Sequence, residues 1–393
     1  MEPRSASRWD GLRPSWAKPR WVAHESHEAP GLPHLAPAGP PREASRVAGS
    51  SGMVVLDGSS GEGGGQVLRT ALTLSLLTGR PFRIDRVRAN RDKPGLRPQH
   101  LTAVEAAQAL GGAEVEGAAI GAATLRFAPS PYVPRDMHVD IGTAGSTALV
   151  LQTLHLPIAL RCEGPVRLTL AGGTFNLAAP SYPFLDASWR RWMAELGLPI
   201  ALAMPAAGFY PPGGGRLDAW IEPGTLRPIH AVERPPLARI RGQAGVNRLD
   251  RKIAERMRER TLDRLADHGL DADIDLVEWT GPAPGAAMNL TAEHGERACG
   301  FVGLGARGKP AEAVADEAVD ALLAFERSGA AVEPRLADQL MLPAALAPGR
   351  SEYTVGAVTG HLRTNADTIA AFLDRSIAIV EPEGDHPGRV IIG

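Results

Sequence analysis

The chain has 393 residues, with 42 Lys and Arg against 44 Asp and Glu, giving a formal net charge of −2. This length supports a sizeable core and two domains. The balanced charge excludes a histone-like protein that grips nucleic acid by bulk attraction, though not a local basic groove.

Residues 1–52 hold Trp9, Trp16 and Trp21, then the Pro-, Gly- and Ala-rich run APGLPHLAPAGPPREA. Neither helical nor strand periodicity persists, so they read as a disordered extension or as sequence upstream of a start at Met53. From Met53 the pattern is mixed α and β. MVVLDG predicts a strand and turn, followed by the Gly-rich loop GEGGG (61–65) and a helix over about Gln66–Leu77. Gly79 and Pro81 end that helix. FRIDRVRA predicts a strand, and Gln99–Leu110 a helix closed by Gly111–Gly112. Short strands are expected near 113–116, 123–127 and 137–140, then a helix over about 148–156 behind GTAGST.

VRLTLAG, the helix of FLDASWRRWMAELG and the turn YPPGGG repeat the order strand, turn, helix. The recurrence predicts an α/β fold of repeated units. Residues 235–330 read as an inserted α/β domain. They contain ARIRGQAG, the charged helix RLDRKIAERMRERTLDRLAD, ADIDLVEW, RACGFVGLG and the helix of KPAEAVADEAVDALLAF. Residues 53–234 and 331–393 then form the larger domain, closing with LADQLMLPAAL, EYTVG, TNADTIAAFL and SIAIVEPE.

No run approaches the roughly 20 apolar residues of a membrane span, and the N-terminus lacks the apolar segment of a secretory signal. Cys162 and Cys299 have no metal-ligand spacing and read as free thiols of a cytoplasmic protein. HExxH, a Cys/His quartet and GxSxG are all missing, which leaves no motif for a bound transition metal or a serine hydrolase. GEGGGQ is neither GxxxxGK[ST] nor a dinucleotide fingerprint. By itself it is a tight strand-to-helix turn, with Glu62 and Arg69 as an acid and a base nearby. Arg88, Arg91, Lys93 and Arg97 crowd one loop, either as phosphate ligands or as a solvated charged surface. GTAGST opens a helix whose free N–H groups suit an anion, with Gln152 further along. His361, in VTGHLRTN, follows a strand and a glycine. An imidazole there can serve as acid, base or nucleophile, or be structural.

Six stretches in order carry a resemblance: LDGSSGEGGGQVLRTALTLSLLTGRPFRI, RANRDKPGLRPQHLTAV, IGTAGSTALVLQT, GFYPPGGG, RLADQLMLPAAL and GHLRTN. From Met53 to its end the chain resembles the RNA 3′-terminal phosphate cyclase family. The resemblance implies βαβαββ-type units in a large domain, interrupted by a smaller α/β insert. It also implies an ATP-dependent ligase that turns an RNA 3′-phosphate into a 2′,3′-cyclic phosphate through an adenylylated histidine. His361 takes the catalytic position, which cyclase-like ribosome-biogenesis proteins of similar fold lack.

Carried over, Gln152 and Arg335, Leu336, Ala337, Asp338 and Gln339 bind the nucleotide, and Arg69, Arg88 and Arg91 face phosphates. Glu62 orients an arginine or assists a divalent cation, Mg or Mn; Lys93 and Gln99 are weaker candidates. The implied partner is an RNA with a 3′-phosphate end, with no membrane. Two positions depart from the family pattern: Arg335 stands where a tyrosine is usual, and Phe175 where a polar residue is. The alternatives are a non-catalytic RNA-processing scaffold of the same fold and an enolpyruvate transferase. The latter would need lysine-rich clamps, whereas only Lys18, Lys93, Lys252 and Lys309 occur here.

Overall fold

The structure is a computed structural model that describes residues 52–61 and 64–393. The N-terminal stretch expected to be an extension lies outside the described residues, as does Glu62.

The first unit runs β1 (Val54–Asp57), α1 (Gly65–Thr78), β2 (Phe82–Asp85), α2 (Pro98–Gly111), β3 (Glu114–Glu116) and β4 (Leu125–Ala128). Its sheet has the order β1-β2-β4-β3, with one parallel pairing followed by two antiparallel ones. The second unit repeats this plan. β5 (Met137–Asp140), α3 (Thr147–Ala159) and β6 (Val166–Gly172) lead into a composite helix. That helix joins α4 (Tyr182–Phe184), a π-helical turn at Leu185–Trp189 and α5 (Arg190–Glu195). β7 (Ile200–Ala206) and β8 (Gly215–Ile221) complete the order β5-β6-β8-β7.

The third unit opens with β9 (His230–Ala231) and is then interrupted. A separate sheet follows, built from β10 (Arg239–Asn247), β11 (Ala272–Glu278), β12 (Gly285–His294) and β13 (Arg297–Leu304). α6 (Lys252–Ala266) and α7 (Ala311–Ser328) pack on it and on each other. The third unit resumes with α8 (Pro334–Leu346), β14 (Ser351–Val355), α9 (Gly360–Phe372), β15 (Ile377–Val380) and β16 (Gly388–Ile392). Its order is β9-β14-β16-β15, again one parallel and two antiparallel pairings. The fold is therefore α/β, with three βαβαββ units and an α/β segment set into the first connection of the third.

Helix α1 sits at the centre, packed on α2, α3 and α9. Its residues from Gln66 to Ser75 are buried except Arg69, which is half-buried. A helix buried on most sides must satisfy its polar groups inside the protein. Thr73 Oγ1 donates to the Thr153 carbonyl (2.8 Å) and Ser75 Oγ to the Arg80 carbonyl (2.6 Å). Gly79, at φ 73°, terminates the helix in the left-handed region that glycine tolerates.

Strand β2 ends at Asp85, four residues before the end of the expected FRIDRVRA strand. Arg86 and Arg88 adopt φ values of 55° and 54°, which break the extended run. The Arg86 guanidinium pairs with Asp57, lowering that carboxyl well below its ordinary range. On the inserted sheet, Arg256, Arg260 and Arg264 of α6 pair with Glu312, Asp316 and Asp320 of α7. Cys162 and Cys299 are buried and unbridged. Among the described residues no helix is long and apolar enough to cross a membrane.

Trp192 anchors α5 to β13. It is 1% exposed, its Nε1 donates to the Ala298 carbonyl at 2.8 Å, and Ser188 Oγ donates to the same oxygen. Trp192→Phe is expected to lower unfolding stability by about 1 kcal/mol through the lost donor. Trp192→Ala is expected to lower it by about 3–5 kcal/mol through the cavity. Denaturant unfolding midpoints measure both.

Candidate active site

A cavity of about 550 Å³ opens where α1, α3, α8 and α9 meet. Gln66, Arg69, Thr70, Gln152, Arg335, Asp338, Gln339, His361 and Asn365 all contribute to its wall. Three of the four helices present this surface in their N-terminal turns, where unpaired N–H groups favour anions. α9 begins with Thr359 as N-cap, its hydroxyl accepting from Leu362 N (3.1 Å), and His361 is the second helical residue. α8 begins at the buried Glu333, whose carboxylate accepts from Arg335 N and Leu336 N.

His361 is exposed, and its Nδ1 lies 2.7 Å from Gln66 Oε1. Gln66 Nε2 donates in turn to Asp338 Oδ2 at 2.9 Å. A carboxylate can only accept, so this bond orients the amide and leaves the Gln66 oxygen facing the imidazole. Nδ1 then carries the proton, and Nε2 holds the lone pair of the neutral ring. A second chain runs from Thr70 Oγ1 to Asn365 Oδ1 (2.8 Å) and from Asn365 Nδ2 to the Asp338 carbonyl (2.8 Å). Gln152 Nε2 donates to Gln339 Oε1 (2.6 Å), tying α3 to α8.

Arg69 is half-buried beside Asp338. Burial lowers its pKa to about 10, against the opposing pull of that carboxylate, so it stays cationic at neutral pH. The neighbouring His100 is the reverse case. Burial first, and then Arg69, Arg88 and Arg97, depress it to about 3, and its Nδ1 accepts from Arg97 N (3.2 Å). His100, kept neutral, adds no further positive charge to the arginines around it. Arg88 braces its own loop by donating to the carbonyls of Lys93 (2.8 Å) and Gly95 (2.9 Å) and does not line the cavity. Its pKa is lowered by burial and by Arg91 and Arg97.

Arg91 is exposed beside the Gly-rich turn, its Nη2 3.1 Å from where a Cβ at Gly64 would stand. Lys93 is exposed, and Gln99 Oε1 accepts from Ser146 N in the GTAGST turn (3.4 Å). Leu336 and Ala337 are fully buried behind the cavity wall, whereas Arg335 is exposed on it. Phe175 lies outside the cavity, stacked on Phe209 at 4.4 Å in a small apolar cluster with Trp279. Its neighbours Asn176 and Leu177 line the cavity instead.

The sequence reading passed over Gln66, Thr70, Asn365 and His100. Each sits inside a quoted motif, and what marks it is a polar residue on a helix face that must be buried.

A histidine held by Gln66 near a helix N-terminus, on the same cavity wall as an arginine, suits an enzyme acting on an anionic group. A family model described as RNA 3′-terminal phosphate cyclase matches residues 60–379. A protein of that name from Ralstonia nicotianae is 45% identical over 330 residues, covering 83% of this chain and 93% of its own. One from Nostoc punctiforme is 42% identical over 328 residues (81% and 94%), and one from Caldivirga maquilingensis 41% over 333 (83% and 94%). The chain belongs to the RNA 3′-terminal phosphate cyclase family.

Gly65 has no room for a side chain, because a Cβ there would overlap His100 Nε2 and lie 3.0 Å from Arg69 Nη1. Gly65→Ala is expected to displace one of them and raise the half-saturating ATP concentration several-fold, read in a nucleotide-binding titration of the folded protein. Burial raises the Glu333 pKa from 4.5 to about 7 against the pull of its two backbone donors. The folded chain then holds this proton up to about pH 7 while the unfolded chain releases it near 4.5. Stability attributable to Glu333 therefore falls as pH rises across that window. Glu333→Gln keeps an acceptor for the cap and should flatten this slope, as followed by unfolding midpoints from pH 4 to 8.

Proposed function

We propose that this enzyme converts an RNA 3′-terminal phosphate to a 2′,3′-cyclic phosphate using ATP, with His361 as the nucleophile. The Asp338–Gln66–His361 bridge is the observation that carries the reading. It prepares the imidazole for attack by placing the proton on Nδ1 and the lone pair on Nε2.

His361 Nε2 forms a bond to the α-phosphorus of ATP as the bond to the β-phosphate oxygen breaks and pyrophosphate departs. Gln66 Oε1 steadies the positive charge that the ring acquires. An oxygen of the RNA 3′-phosphate then takes the AMP group, and His361 leaves as neutral imidazole. Finally the adjacent 2′-OH attacks the activated terminal phosphorus, loses its proton and expels AMP. That closure is intramolecular, so proximity lowers its barrier.

In this reading Arg69 and the amides at the α9 N-terminus offset charge on the α-phosphate, and Arg91 acts nearer the Gly-rich turn. We assign Gln152, Arg335, Asp338 and Gln339 to the nucleoside, and Arg88 to holding the basic loop. The flat Arg335 guanidinium can stack on a base where a tyrosine is usual. Glu62 is assigned to orienting an arginine or meeting a cation. The divalent ion the family implies, Mg²⁺ or Mn²⁺, would neutralise triphosphate charge. Among the described residues no three His, Cys, Asp or Glu side chains converge to hold one, and no step here runs through it.

Incubation with ATP labelled at the α-phosphate should give an acid-labile, alkali-stable protein adduct. His361→Ala should give none, and an adduct surviving in that variant would sink the assignment. Gln66→Ala should slow adduct formation by about tenfold or more, since the tautomer is no longer fixed.

A further inference from the structure

The cavity wall includes a buried imidazole that the reaction above does not use. His155 lies on α3, three residues beyond Gln152, and lines the cavity with Leu149, Gln152, Thr153 and Leu156. It is 1% exposed, and neither ring nitrogen has a hydrogen-bond partner among the described residues. Burial depresses its pKa to about 3, so the ring is neutral and offers one N–H and one bare nitrogen. Folded proteins seldom leave such atoms unsatisfied, and a leucine would fill a purely structural position without the penalty.

The surroundings point to what completes it. Trp189, Phe184, Met193 and Leu156 form apolar walls on this side of the cavity. Trp189 sits edge-on to His155 with ring centroids 5.1 Å apart. It closes the π-helical turn Leu185–Trp189, a distortion that re-aims side chains and clusters at functional sites. Apolar and aromatic walls around one polar atom suit a flat heteroaromatic ring with a hydrogen-bonding edge. His361 and Arg69 belong to the same cavity, so a nucleotide whose α-phosphate meets His361 can send its base toward α3.

We propose that His155 reads the base of the bound nucleotide, its bare ring nitrogen accepting a hydrogen bond from the exocyclic amine of adenine. This rests on ATP being the substrate. It adds a specificity residue to Gln152, Arg335 and Gln339, and it gives the π-turn the role of holding Trp189 as a wall of the base slot.

The test compares ATP with purine riboside 5′-triphosphate, which lacks the 6-amino group, each labelled at the α-phosphate. The full chain is used, and the half-saturating concentration for adduct formation on His361 is measured. The analogue should need about tenfold more nucleotide, the scale of one buried hydrogen bond. His155→Phe should abolish this difference by weakening ATP alone, and His155→Gln, whose amide oxygen also accepts, should restore part of it. Equal half-saturation by the two nucleotides in the unsubstituted protein overturns the proposal, without needing any variant to fold. So does a His155→Phe variant in which both nucleotides weaken alike. An adduct formed equally well from both nucleotides leaves the chemistry of His361 standing. No adduct from either removes the reaction reading and this proposal together.

Discussion

The side-chain amide of Gln66 holds the site together. It donates to Asp338 and accepts from His361, so one group sets both the position and the tautomer of the imidazole. An amide alone can turn over, exchanging its oxygen for its nitrogen, and a histidine facing it would then change tautomer as well. Asp338 prevents this because an ionised carboxylate has no proton to give. Asp338 is held in turn through its own carbonyl by Asn365, which Thr70 orients. Tyr353 Oη, buried beneath, donates to the Ala337 carbonyl in the same turn of α8.

This network requires close approach of elements far apart in the sequence, and small residues permit it. α1 comes from the first unit, α3 from the second, and α8 and α9 from the third. A Cβ at Gly61 would run into Thr364 of α9, and one at Gly65 into His100 of α2. The Gly-rich turn is thus packed against two neighbours, and its glycines serve contact as much as turning. At Gly64 and Gly65 the missing Cβ also leaves room for the Arg91 and Arg69 guanidinium groups.

Much of this was legible in the sequence. The α/β repeat followed from helix periods alternating with short apolar runs, and Gly79 and Gly112 stopped their helices as expected. His361 and Arg69 were found through motifs, and both line the cavity. Strands β7, β8, β9, β12 and β16 were not read. β12, GAAMNLTAEH, is rich in Ala and nearly continuously buried, so it shows neither β-branched enrichment nor alternation. Gln66 and Asn365 were missed for a different reason. Their roles come from partners 272 and 27 residues away, and no local pattern encodes such a pairing. Phe175 drew attention as a departure near the substrate, yet its ring belongs to a cluster with Phe209 and Trp279, created by a contact between loops.

The interruption of the third unit bears on how the chain acquires activity. β9 pairs with β14 through His230↔Glu352, so the entire inserted sheet must be looped out before that parallel pairing can close. Long closures of this kind are entropically costly and slow. α8 and α9, which bring Asp338 and His361, lie on the far side of that loop. During translation the first two units, with α1 carrying Gln66 and Arg69, are made before α8 and α9. The bridge from Asp338 through Gln66 to His361 therefore spans the looped-out sheet, and the cavity wall is complete only once the first and third units have met.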